Sequence, residues 1–379
     1  MRGLRVGIDG RMLGPNPRGI ARYTTEMCRA LDLVLGNAEF FLYARRPVEA
    51  PVASSRWHVR VDLSGPGRWL PNSLWLALQA GRVAARDEID VFWGTTGLLP
   101  LVRVPRRTVV TVYDLVYCVA PETTNRRSLW SARLFFERSV AKADAVVAIS
   151  WGTAQRLKAK LGREAMAVAY PGVSPSCRPA ANAEVASVRR RYGLSEPYLL
   201  SVATREPRKN LATLIRSVVA LRREGLIGSR ILVLAGGSGW KDAEIESEIW
   251  AAGKCIKELG YVPDEDLAGL YSGADAFVFP SLYEGFGMPV LEARACGARV
   301  IASDLPELRE AGGAEGVYVP PTYEGIREGI VRALAMPRPP AIDATQYSWE
   351  RGAASLAEVF RDLTRGAVLT GERTAVAAA

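Results

Sequence analysis

The sequence predicts an α/β protein of two Rossmann-like domains, each a parallel sheet covered by helices. Three observations carry that reading. The chain has 379 residues, which is long for a single core. Short apolar runs of strand length alternate with longer stretches of helical period, as in βαβ units. The alternation pauses at a stretch rich in Pro, Gly and Ala, about 171–185, and then restarts, so the linker is expected there.

In the first half, Leu4–Asp9 reads as a strand, Gly10–Gly19 as a glycine- and proline-containing loop, and Ala21–Leu35 as a helix. Gly19 lies just before that helix, where a bare backbone N–H suits a phosphate, although a plain connecting loop fits as well. Strands follow at Phe40–Tyr43, Val59–Asp62, Ile89–Trp93 and Thr108–Val112, with helices at about Asn72–Arg86 and Asn125–Ala143. Ala145–Ser150 is a buried strand and Gly152–Leu161 a helix. The one histidine, His58, sits between Trp57 and Val59 on a strand and reads as structural. Asp114 follows a strand end, a place for a substrate contact or for an acid that caps nearby N–H groups.

The second half opens with the strand Tyr198–Val202, a loop 204–210 and a helix Leu211–Glu224. Arg205, Arg208 and Lys209 therefore stand near a helix N-terminus, where positive charge opposes the dipole and a bound diphosphate would relieve the conflict. Ile231–Ala235 is a strand followed by a glycine turn. Asp264-Glu265-Asp266 spells a D-x-D, but after Pro263 it reads as a helix start with Asp264 as N-cap, and no metal is expected. Helices at Tyr323–Ala335 and Trp349–Leu363 and an aperiodic tail complete the chain.

Between these lies the most informative stretch, Ala274–Glu310. Ala276–Phe279 is a buried strand ended by Pro280, and Ser281–Gly287 is a loop with Glu284, Gly285 and Gly287. Pro289 suits the first position of a helix that runs to Cys296 and stops at Gly297, and Arg299–Ala302 is the next strand. The two glycines would let backbone approach a ligand, Glu284 would accept from hydroxyls, and Glu292 would face the same crevice. Alternatively, Glu284 is a solvated loop acid and Glu292 a helix acid favoured by the dipole.

Composition narrows the classes. Half the residues are apolar (49%), enough for a sizeable core. Cys28, Cys118, Cys177, Cys255 and Cys296 are odd in number, scattered and contain no C-x-x-C, which argues against a disulfide scaffold or zinc site and for a reduced compartment. No apolar run reaches the roughly 18 residues of a spanning helix. No signal-peptide region precedes the first strand, so a cytoplasmic protein is expected. The net charge of +9 is uneven: residues 1–180 hold 26 basic and 14 acidic side chains, the remainder 23 and 26. Six of nine tryptophans share the basic half. Such a surface suits an anionic membrane face or a polyanionic substrate, or is simply Arg-rich with its tryptophans inside. No nucleic-acid motif accompanies it.

E-G-F-G-M-P-V-L-E after F-P-S resembles the acid-x7-acid signature of family 4 retaining glycosyltransferases, which have the GT-B fold. The opening I-D-G-R-M-L…R-G-I-A-R-Y-T-T-E-M and the basic E-P-R-K-N are similar to the same family, and the opening most resembles its mannosyltransferase B-like group. The resemblance implies domains at 1–175 and 185–345, a helix at 346–365 crossing back to the first domain, and a tail at 366–379. Glu284, with the backbone of Phe286 and Gly287, would hold the sugar. Arg208, Lys209, the Gly19 N–H, the helix starting at Met288 and, less closely matched, Arg205 would take the donor diphosphate. Tyr261 and Val262 would flank the base and Glu292 the ribose. Asp114 would touch acceptor or sugar, with Tyr113 standing where the family commonly has histidine. No cofactor or metal is implied. The donor would be a GDP- or UDP-sugar, first GDP-mannose. The acceptor would be a saccharide, lipid-linked at the inner membrane face, where the protein would be peripheral. A glycan phosphorylase, a sucrose-type enzyme and a non-catalytic nucleotide-binding homologue are the rival readings.

Overall fold

The computed structural model describes residues 3–15, 17–62, 69–124, 126–240 and 242–365. The tail expected at 366–379 and Asn125, at the start of one expected helix, lie outside the described residues. The first sheet contains β1 (Arg5–Asp9), β2 (Glu39–Ala44), β3 (Trp57–Val61), β4 (Val91–Gly94), β5 (Thr108–Val112), β6 (Ala145–Ala148) and β7 (Ala167–Val168). Its order is β3-β2-β1-β4-β5-β6-β7. The second contains β8 (Tyr198–Val202), β9 (Ile231–Ala235), β10 (Ile256–Gly260), β11 (Ala276–Phe279), β12 (Val300–Ser303) and β13 (Val317–Val319), in the order β10-β9-β8-β11-β12-β13.

The two orders follow one plan, third, second, first, fourth, fifth, sixth, to which the first sheet adds a seventh strand. In a doubly wound sheet the strand order reverses between the first and fourth strands, and ligands bind outside the carboxyl ends there. The reversals fall between β1 and β4, paired parallel from Val6↔Val91, and between β8 and β11, paired from Ala276↔Leu199. Strands β4, β5, β6 and β11 are buried along their whole length. Such runs, apolar apart from the buried Thr108 and Thr111 of β5, are what a sheet covered on both faces requires. On one side of the second sheet, Leu199, Val278 and Ile301 form a core with Leu214, Ile215 and Val218 of the Leu211–Arg223 helix and Ile326 and Ile330 of the Tyr323–Ala335 helix.

By compactness the chain divides into the described residues of 1–111, 138–147 and 353–379, and those of 112–137 and 148–352. In the first unit Phe360 of the C-terminal helix packs on Trp93, with ring centroids 6.3 Å apart, and Arg107 Nε donates to the Leu363 carbonyl. In the second, Val173 N donates to the Tyr347 carbonyl. Gly172 lies so close to Trp349 that an added Cβ would meet its nitrogen at 2.4 Å.

Several local expectations change. The helices expected at Asn72–Arg86 and Asn125–Ala143 carry π segments at Leu76–Ala80 and Ala132–Phe136, whose extra residue shifts the phase of the helical face. A helix Asn182–Arg191 begins inside the stretch expected to be linker. Strand β10 and the helices Ala243–Ala252 and Pro306–Gly312 were not legible; β10 (IKELG) lies at a sheet edge, part-exposed, and shows no apolar run. Asp264 is not an N-cap: it is the first helical residue after Pro263. Asp266 is buried and accepts from Arg191 and from the Tyr192 hydroxyl at 2.7 Å. His58 stacks on Phe41 at 4.7 Å. The tryptophans of the basic half divide: Trp57, Trp75 and Trp93 are buried, Trp69, Trp130 and Trp151 exposed. No helix among the described residues is long and apolar enough to cross a membrane.

Candidate active site

The reversal between β8 and β11 brings two loops side by side. The loop after β8 ends in a tight turn, Pro207–Lys209, and Asn210 in the left-handed region (φ +56°) before the next helix. The loop after β11 runs from Pro280 to Gly287, where φ is +104° and glycine is required. Leu282 N donates to the Arg208 carbonyl at 2.8 Å, and the Asn210 amide donates to the carbonyls of Pro280 and Pro321. The loops are thus pinned to each other by backbone and amide bonds before any charge is considered.

On this frame Arg208, Lys209 and Glu284 converge. Lys209 Nζ donates to Glu284 Oε1 at 2.6 Å and Arg208 Nη1 to Oε2 at 2.8 Å. Lys209 also sits over the Phe279 ring, 4.9 Å from its centroid. Glu284 is only 7% exposed. Burial works against its charge, but the two cations outweigh it and hold the carboxyl at about 2. For Lys209, burial dominates and lowers the ammonium below its ordinary value. The conflict between these cations and the following helix dipole is thus relieved by an internal carboxylate.

Asp114 belongs to the same neighbourhood. Its Oδ1 accepts from Val116 N at 3.1 Å, and the charges of Arg208 and Glu284 act on it. Loss of water around the half-buried carboxyl raises its pKa. Gly285 was expected to admit a ligand. Instead it admits the protein itself: an added Cβ would lie 1.9 Å from the Tyr113 carbonyl oxygen. The Gly285 carbonyl accepts from Ser150 Oγ at 2.6 Å and Thr153 Oγ1 at 2.9 Å. Neither hydroxyl was singled out from the sequence, although a serine between a buried strand and a helix is a visible capping signal, and Ser150 does cap that helix through Thr153 N.

The remaining candidates take other partners. Glu292, in the Met288–Ala295 helix, is buried and accepts from the Tyr271 hydroxyl at 3.1 Å. Pro289, expected at the first helical position, follows Met288 as the second. Phe286 is buried 5.7 Å from the Tyr170 ring. Val262 is buried and Tyr261 exposed. Arg205 donates to Glu258 and Ser238. Gly19, in the other unit, precedes the Ile20–Val34 helix with φ +53°; an added Cβ would meet nothing within 4 Å, so only the dihedral asks for glycine.

The β1–β4 reversal holds a different cluster. Asp9 is fully buried, and both its oxygens accept from Arg11, at 2.7 Å each. Arg11 further donates to Thr96 Oγ1 and the Asn72 carbonyl.

Two doubly wound sheets, with an acid and two cations at the reversal of the second, define a GT-B-type chain. The model of glycosyltransferase family 4 matches residues 17–176 and that of glycosyl transferases group 1 matches 187–348; the chain belongs to these glycosyltransferases. It is similar to the mannosyltransferase B-like group. O-antigen chain mannosyltransferase B of Escherichia coli is 36% identical over 184 residues, 45% of this chain and 48% of that protein. Serotype-specific mannosyltransferase WbdA of Escherichia coli is 29% identical over 270 residues, 62% of this chain and 30% of that protein. The chain thus spans half or less of the length of these relatives. Sucrose-phosphate synthase from Thermosynechococcus elongatus matches in fold, with a TM-score of 0.76 over 96% of this chain and 100% of that one at 21% identity.

Proposed function

We propose that the protein is a retaining, metal-independent glycosyltransferase that moves mannose from GDP-mannose to a saccharide acceptor in polysaccharide or glycolipid synthesis. The observation that carries this is the Arg208–Lys209–Glu284 cluster at the β8–β11 reversal of a family member. Departure of a nucleoside diphosphate places negative charge on its oxygens. Preorganised cations in a water-poor site stabilise that charge most effectively. Arg208 and Lys209 supply them, with Arg205 and the N-terminus of the Met288–Ala295 helix as further donors. Once the diphosphate occupies the cations, Glu284 is released to accept from sugar hydroxyls, beside the backbone of Phe286 and Gly287. Glu292 takes the ribose, and Tyr261 and Val262 flank the base. Asp114 orients the acceptor, and with Tyr113 beside it the proton from the attacking hydroxyl passes to the leaving phosphate oxygen. Mannose and GDP rest on the names of the similar relatives. A lipid-linked acceptor at an anionic membrane face suits the basic first half and its exposed tryptophans.

A thermal-shift panel of GDP, UDP and ADP at equal concentration tests the reading, followed by turnover of the matching sugar with and without EDTA. A ligand at about 100 times its Kd adds about 2.7 kcal/mol of stability. A shift with GDP alone and EDTA-insensitive transfer from GDP-mannose is expected. A shift with UDP alone overturns the donor, and silence from all three favours a phosphorylase.

A further inference from the structure

Glu284 is held from both flanks, and one residue joins it to the rest of the cluster. Tyr283 is fully buried. Its carbonyl accepts from Arg208 Nη1 at 2.8 Å, and its hydroxyl accepts from Leu115 N at 2.7 Å. Leu115 follows Asp114 directly, and the next amide, Val116 N, goes to the Asp114 carboxylate. Tyr283 thus connects three candidate residues: Glu284 through the chain, Arg208 through its carbonyl, and Asp114 through the Leu115 amide. Its ring is fixed in turn. The Arg156 guanidinium lies 5.3 Å from the ring centroid and is itself paired with the fully buried Glu307. On the other flank, Ser150 and Thr153 hold the Gly285 carbonyl.

We propose that Tyr283 is a positioning residue for sugar transfer, its hydroxyl–Leu115 bond setting Asp114 against Glu284 so that both meet the reacting sugar in one geometry. The inference rests on the transferase reading. Geometry of this kind acts on the reacting complex more than on donor affinity, and a displacement of about 1 Å costs up to about a hundredfold in rate.

Tyr283→Phe deletes only the hydroxyl and keeps the ring on Arg156 and the carbonyl on Arg208. In the full chain it should lower kcat by about ten- to a hundredfold. Donor KM and GDP or UDP affinity should stay within about twofold, and amide hydrogen exchange at Leu115 should accelerate. Wild-type kcat in the variant overturns the proposal, as does unchanged exchange at Leu115. A variant that fails to fold is replaced by Thr153→Val, which frees the Gly285 and Tyr113 carbonyls that Thr153 Oγ1 holds on either side of the Asp114–Glu284 pairing; the same split between kcat and KM is expected, and a wild-type kcat overturns the proposal. A wild type that transfers from no nucleotide sugar overturns the transferase reading instead, and exchange at Leu115 then still decides whether the bond holds the segment.

Discussion

The two strand-order reversals have the same topology and opposite electrostatic habits. At the first, one carboxylate meets one guanidinium: both Asp9 oxygens are matched by Arg11, whose side chain is 5% exposed and also serves Thr96 and the Asn72 carbonyl. At the second, one carboxylate is divided between two cations that come from a neighbouring loop. A matched, multiply bonded pair acts as a fastening. A carboxylate shared between two cations is one anion that another anion can replace. Doubly wound topology supplies the crevice in both sheets, and on the proposed function the divided carboxylate is what opens the second one to a diphosphate.

Glu284→Gln should break this contrast most visibly. Leaving two buried cations without their carboxylate costs about 3–5 kcal/mol at neutral pH, read by denaturant unfolding. Equal concentrations of GDP or UDP should stabilise this variant more than wild type, because the internal competitor is gone. The pH dependence has a definite sign. The folded carboxyl lies at about 2, below its ordinary 4.5, so its stabilisation is complete above about 4.5 and is lost as pH falls towards 2. The gap between wild type and variant should close across that window, and a gap that stays constant would remove the ion pairs as its cause.

Lys209→Ala should lower turnover about a hundred- to a thousandfold, the loss seen when one preorganised donor to a developing anion is removed. A change of less than about threefold in kcat would remove Lys209 from leaving-group stabilisation. Asp9→Asn sharpens the other side of the comparison. It should cost about 3–5 kcal/mol, because it leaves the buried Arg11 guanidinium without its carboxylate. Nucleoside diphosphate should then add the same increment as in wild type; a larger increment would show that the first reversal also competes with the ligand. The smallest effect is expected from Glu292→Ala, about a tenfold weaker GDP or UDP affinity measured by titration calorimetry, equivalent to about 1.4 kcal/mol. An unaltered Kd would rule out a ribose contact.

Much of the site was legible because its parts are local. Glu284, Gly287 and Glu292 lie within one βαβ unit, and Arg208 and Lys209 lie in the loop that follows a buried strand, so strand ends alone place them near a crevice. Gly285 shows the limit of that reasoning. Its need for a bare Cα comes from the Tyr113 carbonyl, far away in the chain, and no pattern around Gly285 announces it. Arg205 lies in the same loop as Arg208, yet its guanidinium goes to Glu258 and Ser238.

By itself the sequence determined the alternation of strands and helices, and hence two parallel sheets with loops gathered at their carboxyl ends. Those features follow from backbone periodicity and turn chemistry, which act over a few residues. Tertiary structure decided which partner each polar group takes. Arg208 and Lys209 reach Glu284 across 76 and 75 positions, and Leu115 reaches Tyr283 across 168. Such bonds are set by strand order and burial: a polar atom removed from water must find a partner, and only the folded chain determines which one is within reach.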